Sequence, residues 1–92
     1  MAKIIVTVKI MPMTPEVDLN QVEKESKLVI SNFAGEGETK TEEELIGFGL
    51  KALNIIFVID EEKGSPDPVA EKISEIDGVN SAEIVDVRRA LG

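Results

Sequence analysis

Residues with the types and spacing to do chemistry fall into a few groups. They are the acidic runs Glu42-Glu43-Glu44 and Asp60-Glu61-Glu62, the adjacent arginines Arg88 and Arg89, and Phe48 held between Gly47 and Gly49. The acidic runs invite a metal or acid-base reading. Neither has the spacing of a calcium loop, and consecutive carboxylates on a strand point to alternate faces, so they do not converge on one ion. They read as solvated surface. The chain has no histidine and no cysteine, which removes the commonest general base, the thiol nucleophile and the preferred zinc ligands. A Ser or Thr nucleophile would then need Lys, Asp or Glu as its base, and nothing groups them. The Gly35-Glu36-Gly37 run follows a helix instead of leading into one, so it is a helix stop and not a phosphate loop. Arg88 and Arg89 survive this filtering. They are adjacent on a strand, so at most one lies on the helix side and the other is free for a carboxylate or phosphate; a charged strand end is the simpler reading. Phe48 survives as well. Its glycines permit positive φ and can turn the ring outward at a corner, or the ring can fold back over the sheet edge as satellite core.

The elements that position these groups belong to one small domain. A length of 92 residues suffices for one modest core and is too short for two. Hydrophobic content of 42% and charged content of 30% are those of a folded globular chain. The longest apolar run, Leu53 to Ile59, is broken by Asn54 and falls far below the ~20 residues of a membrane span. The N-terminus lacks the apolar core and cleavage site of a signal peptide, which predicts a cytoplasmic protein without membrane contact. A net charge of -8 repels a phosphate backbone, and 3% aromatic content leaves few platforms for bases, so direct nucleic-acid binding is not expected. The acid is uneven: residues 34–64 carry eight Asp or Glu against three Lys, while residues 1–33 balance four against four. A basic partner surface would be steered toward the middle of the chain.

Lys3 to Met11 alternates, with Ile4, Val6, Val8 and Ile10 on one face, as in a half-buried strand ended by Pro12 and Pro15. Asp18 is a good N-cap with Gln21 three residues on, and Leu19, Val22, Val29, Ile30 and Phe33 recur at helical spacing, predicting a helix over 19–32. Residues 38–46 alternate weakly with Thr39, Thr41, Glu43 and Leu45 on one side, as in an edge strand guarded by charge. After the 47–49 corner, residues 50–59 are apolar on both faces, as in a central strand, with Leu53, Ile55, Phe57 and Ile59 as the inward set. Ser65, Pro66 and Pro68 start a second helix over 66–76 that Gly78 closes. Val79 to Arg89 is the last strand, with Val85 and Val87 on one face. The order β-α-β-β-α-β predicts an α+β, ferredoxin-like sandwich: a four-stranded antiparallel sheet with both helices on one face.

The stretch "LIGFGLKALNIIFVIDEEKGSPD", residues 45–67, resembles the signature of the translation elongation factor 1-beta family. The opening "KIIVTVKIMPMTPEVDL" resembles that family's first strand and proline loop, and "SAEIVDVRRALG" resembles the Asp-Val-Arg-Arg ending of its short archaeal form. The match runs along essentially the whole chain. It implies the same ferredoxin-like fold and a single guanine nucleotide exchange domain over residues 1–92. It further implies exchange of GDP for GTP on elongation factor 1-alpha as the partner, with no cofactor, no bond-making chemistry and a monomer when free. In eukaryotic relatives the phenylalanine of the Gly-Phe-Gly corner packs on the GTPase, and Phe48 with Gly47 and Gly49 matches it. Those relatives also send a C-terminal lysine to the magnesium site. Extending the alignment from Asp86 puts Gly92 at that place, which leaves Arg88 or Arg89 as substitutes.

Two rival readings share the fold. The Ile76-Asp77-Gly78-Val79 turn is a pointer to a ligand-binding regulatory domain. The doubly apolar strand 50–59 would suit an oligomerisation module. An RNA-recognition domain needs stacking aromatics on its central strands, and the strand from Lys3 to Met11 has none.

Overall fold

The computed structural model describes residues 2–35 and 37–90, and Gly92 lies outside them. The elements run β1 (Lys3–Pro12), α1 (Leu19–Ala34), β2 (Thr39–Gly47), β3 (Leu50–Asp60), a 3₁₀ turn (Glu61–Lys63), α2 (Asp67–Ser74) and β4 (Val79–Arg89). The strands form one sheet in the order β2-β3-β1-β4, antiparallel at every pairing. The two β-α-β units are thus interleaved, each lending its middle gap to a strand of the other, which is the ferredoxin-like arrangement.

Alternation builds the core. Val6, Val8 and Ile10 of β1 stand opposite Phe57, Ile55 and Leu53 of β3, and all six are buried in one cluster with Val22 and Ile30 of α1 and Val69 and Ile73 of α2. Both helices therefore sit on the same face. The inward set on β3 is Leu53, Ile55, Phe57 and Ile59. Ile56 and Val58 point to the open face, opposite Thr7 and Ile5.

Helix α1 begins where Asp18 accepts hydrogen bonds from the backbone N–H groups of Asn20 and Gln21 at 3.0 and 3.4 Å, satisfying two donors that a first turn otherwise leaves orphaned. It runs two residues beyond the predicted end, to Ala34. Its most buried stripe is Val22, Ser26 and Ile30; the small serine at i+4 lets the helix approach the sheet closely. Helix α2 is shorter than the predicted 66–76. Ser65 Oγ accepts from the Asp67 N–H at 3.1 Å, and the helix ends in a turn over Glu75 to Gly78. Gly78 has φ 90, and a Cβ there would meet Val17 Cγ1 at 3.0 Å, so only glycine lets the chain turn beneath the β1–α1 loop.

One expectation fails. Val85 and Val87 are not an alternating pair on one face, because the β1–β4 register shifts between Thr7 and Val8: Val87 stands opposite Val6, Asp86 opposite Thr7 and Ile84 opposite Val8, which leaves Val85 without a partner. Val85 is the extra residue of a bulge, and Ile84 and Ala82 take the inward positions against the core. The bulge also bends an edge strand away from unwanted pairing.

Candidate functional site

Gly47 pairs with Leu50, so Phe48 and Gly49 alone form the loop joining β2 to β3. Both have positive φ, 54 for Phe48 and 80 for Gly49, the requirement of the type I′ turn whose twist matches a two-residue hairpin. Gly49 suits that geometry. Phe48 does not, and it is the sole non-glycine residue with positive φ among those described. A β-carbon in the left-handed region costs about 1–2 kcal/mol. No packing offsets that cost, since Phe48 is fully exposed at 102%. Of the two readings of this ring, the outward one is therefore the geometry of the turn.

The hairpin tip is supported from one side. A Cβ on Gly49 would lie 3.6 Å from Pro15 Cβ, so the β1–α1 loop lies against the turn. That loop is tied down by the Met13 N–H donating to the Gly78 carbonyl at 2.8 Å. The result is an apolar crown on one end of the sheet: Phe48, Leu45 at 72% exposure, Ile46 and Met13. Ile46 is displaced by a second register shift, between Leu45 and Gly47. Leu45, Ile46 and Met13 were not distinguishable as surface residues from composition. The available signal was two consecutive apolar residues closing an otherwise charged edge strand.

The acidic run beside the crown divides as strand geometry requires. Glu43 faces Lys51 at 3.7 Å, while Glu44 accepts a hydrogen bond from Asn54 Nδ2 at 2.9 Å and lies 3.6 Å from Lys9 Nζ. The amide hydrogen bond, and then the Lys9 charge, hold the Glu44 carboxyl below its ordinary pKa.

Asp86, Arg88 and Arg89 lie at the opposite end. Arg89 stands opposite Ile4 and Arg88 opposite Ile5, while Ile4 and Ile5 pair with Ile59 and Val58 near the end of β3. The length of β3 thus separates the arginines from Phe48 by about 30 Å. They also divide between faces: Arg89, across from the core-packed Ile4, is on the helix side, and Arg88 is on the open side. Each guanidinium takes a carboxylate of its own chain. Arg88 Nε is 2.9 Å from Asp86 Oδ2, two residues away on the same face, and Arg89 pairs with Glu61 from the 3₁₀ turn. Both arginines are exposed, and exposed pairs contribute only ~0–1 kcal/mol, so a competing anion could displace the present partners at little cost. Nearby, Lys3 Nζ donates to Asp60 Oδ1 at 2.6 Å; that hydrogen bond and charge hold the Asp60 carboxyl below its ordinary value. No helix among the described residues is long and apolar enough to cross a membrane.

Comparison with known proteins places this geometry. The backbone is similar to the de novo designed protein Foldit4, with a TM-score of 0.62 over 98% of both chains at 16% identity, a likeness of fold alone. The sequence is 38% identical over 91 residues to elongation factor 1-beta of Methanothermobacter thermautotrophicus, covering 99% of this chain and 100% of the relative. It is 42% identical over 87 residues to elongation factor 1-beta of Pyrococcus abyssi, covering 94% and 93%. The family model described as the EF-1 guanine nucleotide exchange domain matches residues 5–90. That span holds the Phe48 hairpin, both arginines, β2, β3, β4 and β1 from Ile5 onward, and the chain belongs to the EF-1 guanine nucleotide exchange domain family, with the translation exchange-factor role of that family.

Proposed function

We propose that this protein promotes the exchange of GDP for GTP on elongation factor 1-alpha by stabilising the nucleotide-free GTPase, without making or breaking a bond. The observation that carries the reading is Phe48, an aromatic held fully exposed on a strained two-residue turn in a chain of the exchange-domain family. Backbone strain that no intramolecular packing compensates is characteristic of functional contact sites. The two-residue turn fixes the backbone under the ring before docking, so binding orders only the side chain. The energetics of exchange follow from linkage. A factor that binds the empty GTPase more tightly than the loaded one must weaken GDP by the same ratio, so its contacts have to displace segments that hold the nucleotide.

In this reading Phe48 is the anchor, with Gly47 and Gly49 fixing its direction. Asp86, Arg88 and Arg89 form a second contact region about 30 Å away, where the guanidinium groups exchange their present carboxylates for anionic groups of the partner. The two regions are too far apart to enter one nucleotide pocket together, so they meet separate parts of the GTPase surface.

The test is release of a fluorescent GDP analogue from purified elongation factor 1-alpha, with and without this protein. The intact factor accelerates release. Phe48→Ala reduces the acceleration about 30-fold, as expected of an anchor worth roughly 2 kcal/mol, while the melting temperature stays within about 2 °C of the parent. No acceleration by the intact factor defeats the reading. A large stability loss with exchange preserved returns Phe48 to a structural role.

A further inference from the structure

The crown is apolar, but its setting is acidic. Residues 11–18, 42–51 and 75–80 surround it and carry Glu16, Asp18, Glu42, Glu43, Glu44, Glu75 and Asp77 against Lys51; Lys9, 3.6 Å from Glu44, and Lys40, 3.9 Å from Glu42, offset part of that charge and leave the acid in excess. These segments are far apart in sequence and meet through the Met13–Gly78 hydrogen bond, the close approach of Gly78 to Val17 and that of Pro15 to Gly49. All seven carboxylates are exposed. The ends of β1, β3 and β4 on the far side differ: Asp60, Glu61, Glu62 and Asp86 are balanced there by Lys3, Lys63, Arg88 and Arg89.

We infer that the hairpin end docks into an apolar recess bordered by lysine and arginine on a protein partner, and that the acidic surround steers that encounter. This rests on the reading of Phe48 as the GTPase contact and adds the chemistry of the surface that receives it. Three observations select the occupant. Exposed Phe48, Leu45, Ile46 and Met13 require an apolar recess to cover them. Like-charge repulsion among seven carboxylates disfavours a second copy of this end, and equally an anionic nucleic acid or lipid surface. An apolar patch within a field of one sign is complementary to a patch framed by the opposite sign, an arrangement that raises the encounter rate more than it strengthens the final complex.

The test measures association and dissociation rates of the full-length protein with nucleotide-free elongation factor 1-alpha across ionic strength. Between about 20 and 300 mM salt the association rate of the parent falls at least tenfold. The triple variant Glu16→Gln/Glu43→Gln/Asp77→Asn takes one charge from each of the three segments; it loses roughly half of that salt dependence and leaves the dissociation rate within about twofold. The control Glu38→Gln/Glu62→Gln/Glu71→Gln changes the net charge equally, away from the hairpin, and retains the parental slope. Phe48→Ala shows the opposite pattern, with faster dissociation on an unchanged slope. A salt-independent association rate, or equal slopes for the two triple variants, overturns the inference while leaving the exchange reading intact if GDP release is still accelerated. Absence of association overturns both.

Discussion

The two ends of the sheet solve opposite problems with similar residues. At the far end three charged pairs close on themselves: Lys3 with Asp60, Arg88 with Asp86, Arg89 with Glu61. The phenylalanine toward that end, Phe57, is 1% exposed within the core. At the hairpin end carboxylates outnumber the lysines that reach them, Lys9, Lys40 and Lys51, and Phe48, nine positions earlier, is displayed on a backbone conformation that disfavours it. One end satisfies itself, and the other is arranged to be satisfied from outside. The difference is one of neighbours, not of residue type.

The comparison breaks most visibly at the two phenylalanines. Phe57→Ala empties a site enclosed between β1, β3 and the helices and costs about 3–5 kcal/mol, read as a lower midpoint in chemical denaturation; a small loss would mean that the core collapses easily around it. Phe48→Gly acts in the opposite direction. It removes the β-carbon from a positive-φ position and raises stability by roughly 1 kcal/mol, while abolishing the acceleration of GDP release that the ring provides. Destabilisation by Phe48→Gly would show that the ring packs on the protein in solution.

The smallest effect sharpens the far end. Asp60 has a lowered pKa because Lys3 bonds to it and lies beside it. A carboxylate depressed in the folded state contributes stability that is present above its ordinary pKa, near 4, and is lost as pH falls through the lowered value. Lys3→Met removes the cause, so the melting temperature falls slightly at pH 7, the difference from the parent closes as pH drops below about 4, and the acid limb of the profile is correspondingly shallower. An unchanged acid limb would show the pair to be broken in solution.

Much of this was legible in the sequence. Alternation along β1 marks its buried face because successive strand side chains point oppositely, and Asp18 marks the start of α1 because its carboxylate satisfies orphaned N–H groups. The Gly-Phe-Gly corner announced a turn, and the resemblance named the family. The bulge at Val85 was not legible: an extra residue on β4 is defined only against its neighbours on β1. The partners of the arginines were equally hidden, since Glu61 is 28 positions from Arg89. The crown was hidden for the same reason, assembled from loops that touch only after the sheet has formed.

Local pattern, read from the sequence by itself, determined the elements, their order, the inward faces of β1 and β3, and the φ that Gly49 must adopt, because these depend on periods and backbone preferences within a few residues. The tertiary structure decided that Phe48 stands clear of the core, that Arg88 and Arg89 lie about 30 Å from it on opposite faces, and that seven carboxylates from three segments share one end. Each of those outcomes depends on strand register and loop contact between residues distant in the chain, and no local preference encodes a distance across a sheet.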